Sequence, residues 1–441
     1  MNTSDLLNKT VFLSDGFRFI YWSEDKEFSC IDLKKGKRVE LAPQVYEILS
    51  IAVGKTVSEA STHFTETSIN PFLGIITRLF DNQILVENPT DVIIEEYKSR
   101  PIEVLVVEIT GKCNASCVFC YGKDSRKSEC FSIERLDEIL KSYRSIGGVS
   151  VAISGGEPTV SANLIPFIKL IEDNGLLLTG MGTNGSIFTE ELIDCLSKTV
   201  IVDGISFSLD SMWTVEHSKI RGINNLGNDV IDAIGKLNDR SIPVIINTII
   251  NRKMGPVVEF GSMLSELGVN KWRLIQPFGV DRATDPDFYY SFDEELDILA
   301  DAYHAHQNLA WSFSLMSDTF INCLHNSVII PDHFQDNRLC GHRSRSLYVK
   351  ANGDVLRCNI SREKAVANVY CKSIKEIWED EYTHAIKRPR LNGYETCSSC
   401  KAKKVGLCSV NTFCPEIDIN EGKCNQRLER IYNRYTLHHS N

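Results

Sequence analysis

The sequence contains no apolar run that approaches the ~18–20 residues needed to cross a bilayer. Its amino terminus, MNTSDLLNKTVF, has no basic segment followed by a long apolar core, so it does not resemble a signal peptide. Basic residues are scarce, with 48 Lys and Arg against 58 Asp and Glu and a net charge of −10, whereas nucleic-acid binding needs a basic face. We therefore expect a soluble, cytoplasmic protein that acts on a small molecule or a peptide and contacts neither membranes nor nucleic acids.

Cysteine is nearly absent from the first part of the chain and abundant in the last. Residues 1–112 contain only Cys30, whereas residues 340–424 contain eight of the 15 cysteines. Because disulfides rarely persist in a reducing cytoplasm, this clustering indicates metal ligation. The isolated Cys30, Cys130 and Cys195 lie in apolar or helical segments, so we expect them to be ordinary core residues.

With 441 residues the chain should contain two or three domains. Residues 10–32 predict three short strands, TVFL, FRFIYW and EFSCID, separated by turn signals. Apolar residues at helical spacing begin near Ala42, and two more short helices fit TVSEASTHF and NPFLGIITRLF. ILVE reads as a closing strand and NPTDVIIEEYKSRP as a polar linker. The pattern predicts a small, winged-helix-like α+β domain over residues 1–95.

From Glu103 onward, apolar runs alternate with amphipathic stretches. The runs are VLVVEI, VSVAIS, LLLTGM, ISFSLD, VIINTII and WRLIQ. Such a βα repeat predicts an α/β fold with a parallel sheet over residues 103–280, two units short of a closed barrel. Residues 281–339 are less regular and form a predicted bridging region. Residues 340–441 are cysteine-rich, as expected where metal centres replace a hydrophobic core.

The segment CNASCVFC, residues 113–120, directly follows the first strand of the repeat. It therefore places three thiols at the carboxyl end of a strand, where barrel folds build their active sites. A cubane iron–sulfur cluster ordinarily takes four cysteines, so Cys113, Cys117 and Cys120 would leave one iron open to a ligand. The alternative is a zinc knuckle, which needs a fourth ligand nearby. Cys130 lies ten residues beyond the triplet.

This spacing resembles the CxxxCxxC signature of the radical S-adenosylmethionine (SAM) superfamily, which has an aromatic residue before the last cysteine. Further elements that resemble the superfamily follow the later strands: SGGEP, TNG, SFSLD, HSKIRG and QP. The resemblance implies a partial (βα)6 TIM-type barrel and reductive cleavage of SAM to a 5′-deoxyadenosyl radical. The SAM-binding residues that it implies are Phe119, Gly155, Gly156, Glu157, Pro158, Asn184, Ser208, Asp210, Arg221 and Gln276.

Within that set, the resemblance also implies roles. The glycine pair admits close backbone approach to the methionine amino group, and Arg221 pairs with the methionine carboxylate. Ser208 and Asp210 share one face of a strand and could meet the ribose, while Gln276 lies near the adenine. No residue is assigned as a catalytic base.

The last hundred residues resemble the SPASM extension, which carries two auxiliary [4Fe–4S] clusters. The resemblance assigns Cys340, Cys358 and Cys414 to one cluster and Cys397, Cys400, Cys408 and Cys424 to the other. The fourth ligand of the first cluster is Cys371, Cys323 or an open position. The gaps after Cys400 and Cys408 exceed the commonest SPASM spacing, and zinc is the alternative for the CxxC pair.

The order of strands and helices in residues 1–95 resembles the PqqD-like element that binds leader peptides of ribosomally made, modified peptides. The third strand, 27–32, is expected to take an extended peptide by strand addition, with the third helix, 71–80, closing the groove. A DNA-binding winged helix is the alternative, and the acidic balance disfavours it.

Together these resemblances imply a radical SAM/SPASM peptide maturase with SAM and three [4Fe–4S] clusters as cofactors. The implied partners are a precursor peptide and an electron donor such as flavodoxin or ferredoxin. A carbon–carbon or ether cross-link to an aromatic side chain is favoured, with thioether formation and epimerisation as alternatives. An anaerobic sulfatase-maturase-like enzyme and a non-enzymatic iron–sulfur or zinc protein are the remaining hypotheses.

Overall fold

The computed structural model describes residues 3–99, 101–120, 129–275, 277, 285–317, 346–356 and 365–387. The chain divides into two compact units. The first comprises residues 1–101, 143–149 and 175–177, and the second comprises the remainder. Among the described residues, no helix is long and apolar enough to span a membrane.

A four-stranded sheet forms the framework of the first unit, in the order β4-β3-β2-β6. Its strands are β2 (Phe17–Trp22), β3 (Glu27–Asp32), β4 (Lys37–Leu41) and β6 (Ile94–Tyr97). β2 and β3 occupy the predicted positions, whereas β4 and β6 were not predicted, and β6 lies in the segment interpreted as a linker. Both have charged sequences, KRVEL and IEEY, which are typical of edge strands.

β3 lies in the interior of this sheet, paired with β2 on one side and β4 on the other. Five of its six residues are buried. The expectation that this strand takes up a peptide by strand addition is therefore wrong, because its backbone N–H and C=O groups already pair on both sides. In the described part of the chain, the outer strands of the sheet are β4 and β6.

The predicted helices cover one face of this sheet. Phe19 and Phe28 of the sheet share a buried core with Leu49, Phe72 and Ile76 of the helices. The other elements of the unit are α1 (Thr3–Leu7), α2 (Pro43–Ala52), α3 (Val57–Ser61), α4 (Ile69–Asp81) and the antiparallel pair β1 (Phe12–Leu13) and β5 (Leu85–Val86). The three predicted helices and the closing strand are thus confirmed.

Glu95 of β6 is the centre of an ionic network within the first unit. Arg18 donates to it from Nε at 2.9 Å and from Nη2 at 2.8 Å, and Arg144 donates from Nη2 at 2.6 Å. Arg18 is 4% exposed and also donates to the Gly148 carbonyl. Burial alone would raise the pKa of Glu95, but the hydrogen bonds and charges of the two arginines outweigh it and lower this pKa from 4.5 to about 2.

The second unit is built on a ten-stranded sheet in the order β13-β12-β11-β10-β9-β8-β7-β14-β15-β16, and its first eight strands run parallel. The six predicted strands are β7 (Val104–Glu108), β8 (Ser150–Ser154), β9 (Leu177–Thr183), β10 (Ile201–Ser208), β11 (Val244–Ile249) and β12 (Lys271–Ile275). The strands added to them are β13 (Ser314–Ser317), β14 (Ser346–Val349), β15 (Asp354–Leu356) and β16 (Ala367–Asn368).

Helices connect these strands, which confirms the predicted α/β partial barrel. They are α5 (Ile133–Arg144), α6 (Leu164–Asp173), α7 (Glu190–Lys198), α8 (Thr214–Arg221), α9 (Leu226–Asn238), α10 (Val257–Glu266) and α11 (Phe292–Asn308), and α12 (Ile374–Lys387) follows β16. Parallel strands end at one common edge of the sheet, so the loops that follow them come together there.

Side chains alternate along the parallel strands between two faces. Those that pack beneath the helices are fully buried, as Phe207 and Trp272 are. The intervening side chains are half-buried and line the other face, which we call the inner face. Strand register places Ser208, Asn247 and Arg273 side by side on the inner face.

Glu95→Gln should lower the free energy of unfolding at pH 7 by about 3–5 kcal/mol, because it leaves the buried Arg18 charge without its partner. Since the folded-state pKa of Glu95 is depressed to about 2, its contribution is fully present above pH 4.5 and is lost as the pH falls from 4.5 towards 2. Denaturant unfolding of both proteins across this range measures the difference.

The matched control is Glu24→Gln, which removes an exposed ion pair with Lys98 at 3.4 Å in the same unit. It should cost less than about 1 kcal/mol. Equal effects of the two substitutions at pH 7 would show that the Glu95 network does not stabilise the fold as its burial implies.

Candidate active site at the carboxyl end of the parallel sheet

The cysteine triplet lies on the loop that follows β7, at the carboxyl edge of the sheet. Cys117 is 6% exposed, and Cys113 and Cys120 are half-buried. Among the described residues, no three His, Cys, Asp or Glu side chains are grouped so as to hold a single metal ion. In a four-iron cluster, by contrast, each cysteine binds its own iron. We call residues 113–120 the cysteine loop.

The first support of the cysteine loop is the glycine pair after β8. The Gly156 N–H donates to the Thr110 carbonyl and the Glu157 N–H to the Lys112 carbonyl, each at 2.8 Å. A Cβ at Gly156 would lie 2.3 Å from the Lys112 carbonyl oxygen, well inside van der Waals contact. Glycine is therefore required here by the approach of two backbone segments, whether or not a ligand is bound.

The side chain of Glu157 lies in the protein interior. Its side chain is 1% exposed. One carboxylate oxygen accepts from the hydroxyls of Thr159 and Thr183 at 2.8 and 2.7 Å, and the other accepts from the Asn184 N–H at 2.6 Å. This carboxylate, which the sequence assigned to SAM, joins the turn after β8 to the turn after β9. The neighbouring Pro158 is also buried.

Asn184 provides the second support. Its Nδ2 donates to the side-chain Oδ1 of Asn114 at 2.8 Å, and Asn114 Nδ2 in turn donates to the Ser186 hydroxyl at 2.8 Å. Asn184 is 6% exposed. A residue predicted to contact SAM therefore also fastens the cysteine loop, directly beside Cys113.

The third support is the carboxyl end of α8. The Ser116 N–H donates to the Arg221 carbonyl at 2.9 Å and the Val118 N–H to the Ile220 carbonyl at 3.1 Å. The last carbonyls of a helix have no partner within the helix, so the cysteine loop satisfies them. Gly222 follows with a φ of +67°, and a Cβ there would lie 2.0 Å from the Ser116 hydroxyl oxygen.

Asp210 is fully buried just after β10. Its carboxylate accepts from Arg221 Nε at 2.6 Å and from the Ile249 N–H at 3.0 Å. The sequence suggested that Asp210 meets the ribose of SAM and that Arg221 meets the methionine carboxylate. In the structure these two residues bind each other.

His217 was missed by the sequence reasoning, although it lies four residues before Arg221 on α8 and therefore shares its face. It is fully buried, and its Nδ1 accepts from the Asp210 N–H at 3.0 Å. Burial lowers the pKa of His217 to about 4, against the opposing charge of Asp210. The ring is therefore neutral at pH 7 and carries its proton on Nε2.

The inner face carries polar groups that form no hydrogen bond with other described residues. Ser208 is half-buried and makes no side-chain hydrogen bond within the described part of the chain. Beside it, the Oδ1 atom of Asn247 is buried and has no hydrogen-bond partner there. At Gly182, a Cβ would meet nothing within 4 Å. Unused buried acceptors next to open space fit a polar, nucleoside-like ligand, and Asn247 is a candidate contact that sequence reasoning missed.

Several predicted ligands lie outside the described residues. They are Gln276, Cys323, Cys340, Cys358, Cys397, Cys400, Cys408, Cys414 and Cys424. Cys371 is described and is exposed. Cys30 is buried and Cys195 is half-buried, but Cys130 is exposed, so the expectation that it is a core residue is wrong. Cys130 pairs with the end of β7 instead, and its Sγ lies 2.9 Å from the Thr110 hydroxyl.

Two family models match the chain. Residues 107–255 match the radical SAM superfamily. The chain contains a radical SAM domain. Residues 340–401 match SPASM, an iron–sulfur cluster-binding domain. The cofactors that these domains indicate are SAM and [4Fe–4S] clusters, and the matches, together with the enzymes among the relatives, identify the chain as an enzyme.

The radical SAM domain is also similar to curated proteins. Over 214 residues the chain is 27% identical to a probable GTP 3′,8-cyclase of Metallosphaera sedula. The aligned region covers 47% of this chain and 64% of that protein. The chain spans less than two thirds of the length of such relatives, as 64% and 60% coverage of two of them shows.

Solved structures share the fold over more of the chain. Streptococcus suis SuiB bound to its precursor peptide SuiA has a TM-score of 0.67 at 16% identity, covering 94% of this chain and 100% of that chain. The protein anSMEcpe, with bound AdoMet and Cp18Cys peptide, has a TM-score of 0.57 at 16% identity, with 77% and 98% covered. At this identity the similarity establishes the fold alone.

Gly156→Ala should displace the Lys112 segment, because the added Cβ would clash with backbone atoms, with the Lys112 carbonyl oxygen only 2.3 Å away. Overpacking of this kind costs about 1–3 kcal/mol, and the shift is transmitted to Cys113. We expect less iron per chain after anaerobic reconstitution, weaker SAM binding and a lower denaturation midpoint. Gly235→Ala is the control, since a Cβ there meets nothing within 4 Å. Parental iron content and SAM affinity in Gly156→Ala would contradict the role of this contact.

Proposed function

We propose that this chain is a peptide-modifying radical SAM enzyme that introduces a cross-link into a ribosomally made precursor peptide. The observation that carries the proposal is that one chain combines two features. A three-cysteine loop is braced at the carboxyl edge of a parallel sheet, and a separate α+β unit has a strand edge without a neighbour among the described residues. The first feature supports radical chemistry, and the second supports binding of an extended chain.

In this proposal Cys113, Cys117 and Cys120 ligate three irons of a [4Fe–4S] cluster. SAM would be held beside this cluster, and Ser208 and Asn247 on the inner face are its candidate polar contacts. The bound group supplies a one-electron cleavage of SAM that yields a radical able to abstract hydrogen from the substrate. The protein's own contribution is to orient the reactants and to keep water away from them.

The SPASM region supplies the further clusters in this proposal. Cys340, Cys358 and Cys414 would hold one, with a fourth ligand at Cys371, Cys323 or an open position. The second would be held by Cys397, Cys400, Cys408 and Cys424. Three clusters per chain would let the surplus electron of an oxidative cross-link leave through the protein, with flavodoxin or ferredoxin as the external partner in the cytoplasm.

For the leader of the precursor, we propose β4 as the docking edge. Val39 on β4 is 46% exposed although it is apolar, and Lys37 beside it is exposed. An extended peptide added along β4 would continue the sheet at this outer strand and could cover Val39. Binding there would raise the effective concentration of the core peptide at the radical SAM domain.

The type of bond is the least constrained part of the proposal. A carbon–carbon or ether link to an aromatic side chain is our first choice, and thioether formation or epimerisation are the alternatives. GTP cyclisation has no comparable support, because the curated cyclases match only 47% of this chain. Sulfatase maturation would leave the first unit without a role.

The reaction is tested by incubating the reconstituted enzyme with SAM, a reductant and the precursor peptide encoded beside it, followed by mass spectrometry of the product. A cross-link removes a pair of hydrogens per event, and tandem fragmentation locates the joined residues. An unchanged mass with one deuterium taken up from heavy water would replace the cross-link by epimerisation. A peptide that stays unmodified while SAM is consumed would refute the peptide as substrate.

Leader docking is tested by placing a photoreactive benzoylphenylalanine at Val39 in the full chain. The matched control position is Val202, which is 44% exposed on the second unit. We expect cross-linking of the leader at position 39, several-fold above position 202, and competition by unlabelled leader but not by the core peptide. Equal labelling at the two positions would rule out β4 as the docking edge.

A further inference from the structure

The Arg221 guanidinium lies against two residues of the cysteine loop. Its Nη1 is 3.6 Å from Cys117 Sγ, within hydrogen-bond range for sulfur. Its Cζ is 4.9 Å from the centre of the Phe119 ring, close enough for a cation–π contact. Phe119 in turn stacks on Phe288, with ring centres 6.0 Å apart. A permanent positive charge therefore faces the sulfur of a proposed cluster ligand.

Asp210 holds this guanidinium in place. The Nε–Oδ2 distance is 2.6 Å, and the side chains are 12% and 0% exposed. The Asp210 backbone is itself fixed, because its carbonyl accepts from the Asn251 amide at 2.9 Å and its N–H donates to His217. Because its Nε is held by the fixed Asp210 carboxylate, the planar guanidinium of Arg221 can direct another N–H at Cys117.

These contacts differ from those expected of an arginine that only binds SAM. An arginine reserved for the methionine carboxylate would not need contact with a cluster ligand before SAM arrives. The described contacts instead commit Nε to Asp210 and Nη1 to Cys117. In the described part of the chain these contacts do not use Nη2, so Arg221 can contact Cys117 and also bind SAM. Measurements without SAM separate these two roles.

We infer that the Asp210–Arg221 pair raises the reduction potential of the cluster at Cys113, Cys117 and Cys120, with Asp210 as the positioning residue. Reduction potentials of iron–sulfur clusters depend on net charge and on hydrogen bonds to the sulfurs. The reduced cluster carries one more negative charge than the oxidised cluster, so a cationic N–H donor at a ligand sulfur stabilises the reduced form. The inference rests on the proposed cluster but not on a peptide substrate.

The test is an EPR-monitored redox titration of the full-length, anaerobically reconstituted enzyme without SAM. Subtracting the signal of a Cys113→Ala, Cys117→Ala, Cys120→Ala chain isolates this cluster from the SPASM clusters. At the parental midpoint, Arg221→Gln should lower the ratio of reduced to oxidised cluster by about tenfold, as expected for loss of one charge-assisted hydrogen bond. For a one-electron couple this is a shift of about 59 mV.

Two further variants separate charge from geometry. Asp210→Glu keeps both charges but moves the carboxylate that anchors Arg221, so we expect a shift in the same direction and of smaller size. Arg221→Lys keeps the charge, but a single ammonium does not span Asp210 and Cys117 together, so it should not restore the parental potential. Arg240→Gln, which removes a surface pair with Glu190 at 3.1 Å, is the control and should leave the potential unchanged.

The outcomes are distinct. An unchanged potential in Arg221→Gln, with weaker SAM binding, would overturn the inference and leave Arg221 as a SAM contact only. An Arg221→Lys chain with the parental potential would show that charge suffices without the fork. A shift in Arg221→Gln but none in Asp210→Glu would remove the positioning role of Asp210. Absence of any cluster whose EPR signal responds to SAM in the parent would instead refute the proposed function.

Discussion

The close packing of two backbone segments, at Gly156 and Lys112, is the constraint on which the rest of the site depends. The cysteine loop has no helix or strand of its own, so its shape is imposed from outside. The segment after β8 donates to residues 110 and 112 directly before it, the segment after β9 donates to it, and the end of α8 accepts from it. These segments are far apart in sequence, and only the folded parallel sheet brings their ends to one edge. The geometry of the cysteine loop is therefore a product of the fold rather than of the cysteine motif alone.

Two buried carboxylates, Glu157 and Asp210, organise this edge of the sheet. Burying a carboxylate is tolerable only when hydrogen-bond donors surround it, and both residues are satisfied by hydroxyls, backbone N–H groups or Arg221. Each links the ends of different strands or turns. On the inner face, Asn247 Oδ1 is a neutral acceptor with no hydrogen-bond partner among the described residues. The charges of the two carboxylates thus serve the structure of this edge.

The first unit shows how strand order changes the interpretation of a binding surface. β3 lies in the interior of the sheet, and five of its six residues are buried. β4 is short and carries Lys37, Arg38 and Glu40. Strand addition requires an edge strand, and in the described part of the chain the outer strands of this sheet are β4 and β6. The peptide-docking proposal therefore moves from residues 27–32 to residues 37–41.

The sequence by itself determined the six inner parallel strands, the three helices of the first unit and the position of the cysteine loop. Apolar periodicity and short-range spacing carry that information, because they reflect burial along single elements. It could not show that Glu157 and Asp210 point inward, that Arg221 reaches Cys117, or that β3 is paired on both sides. Those facts depend on partners far away in the chain. Only the tertiary structure decided them, since a side chain's role is set by what the fold brings within hydrogen-bond distance of it.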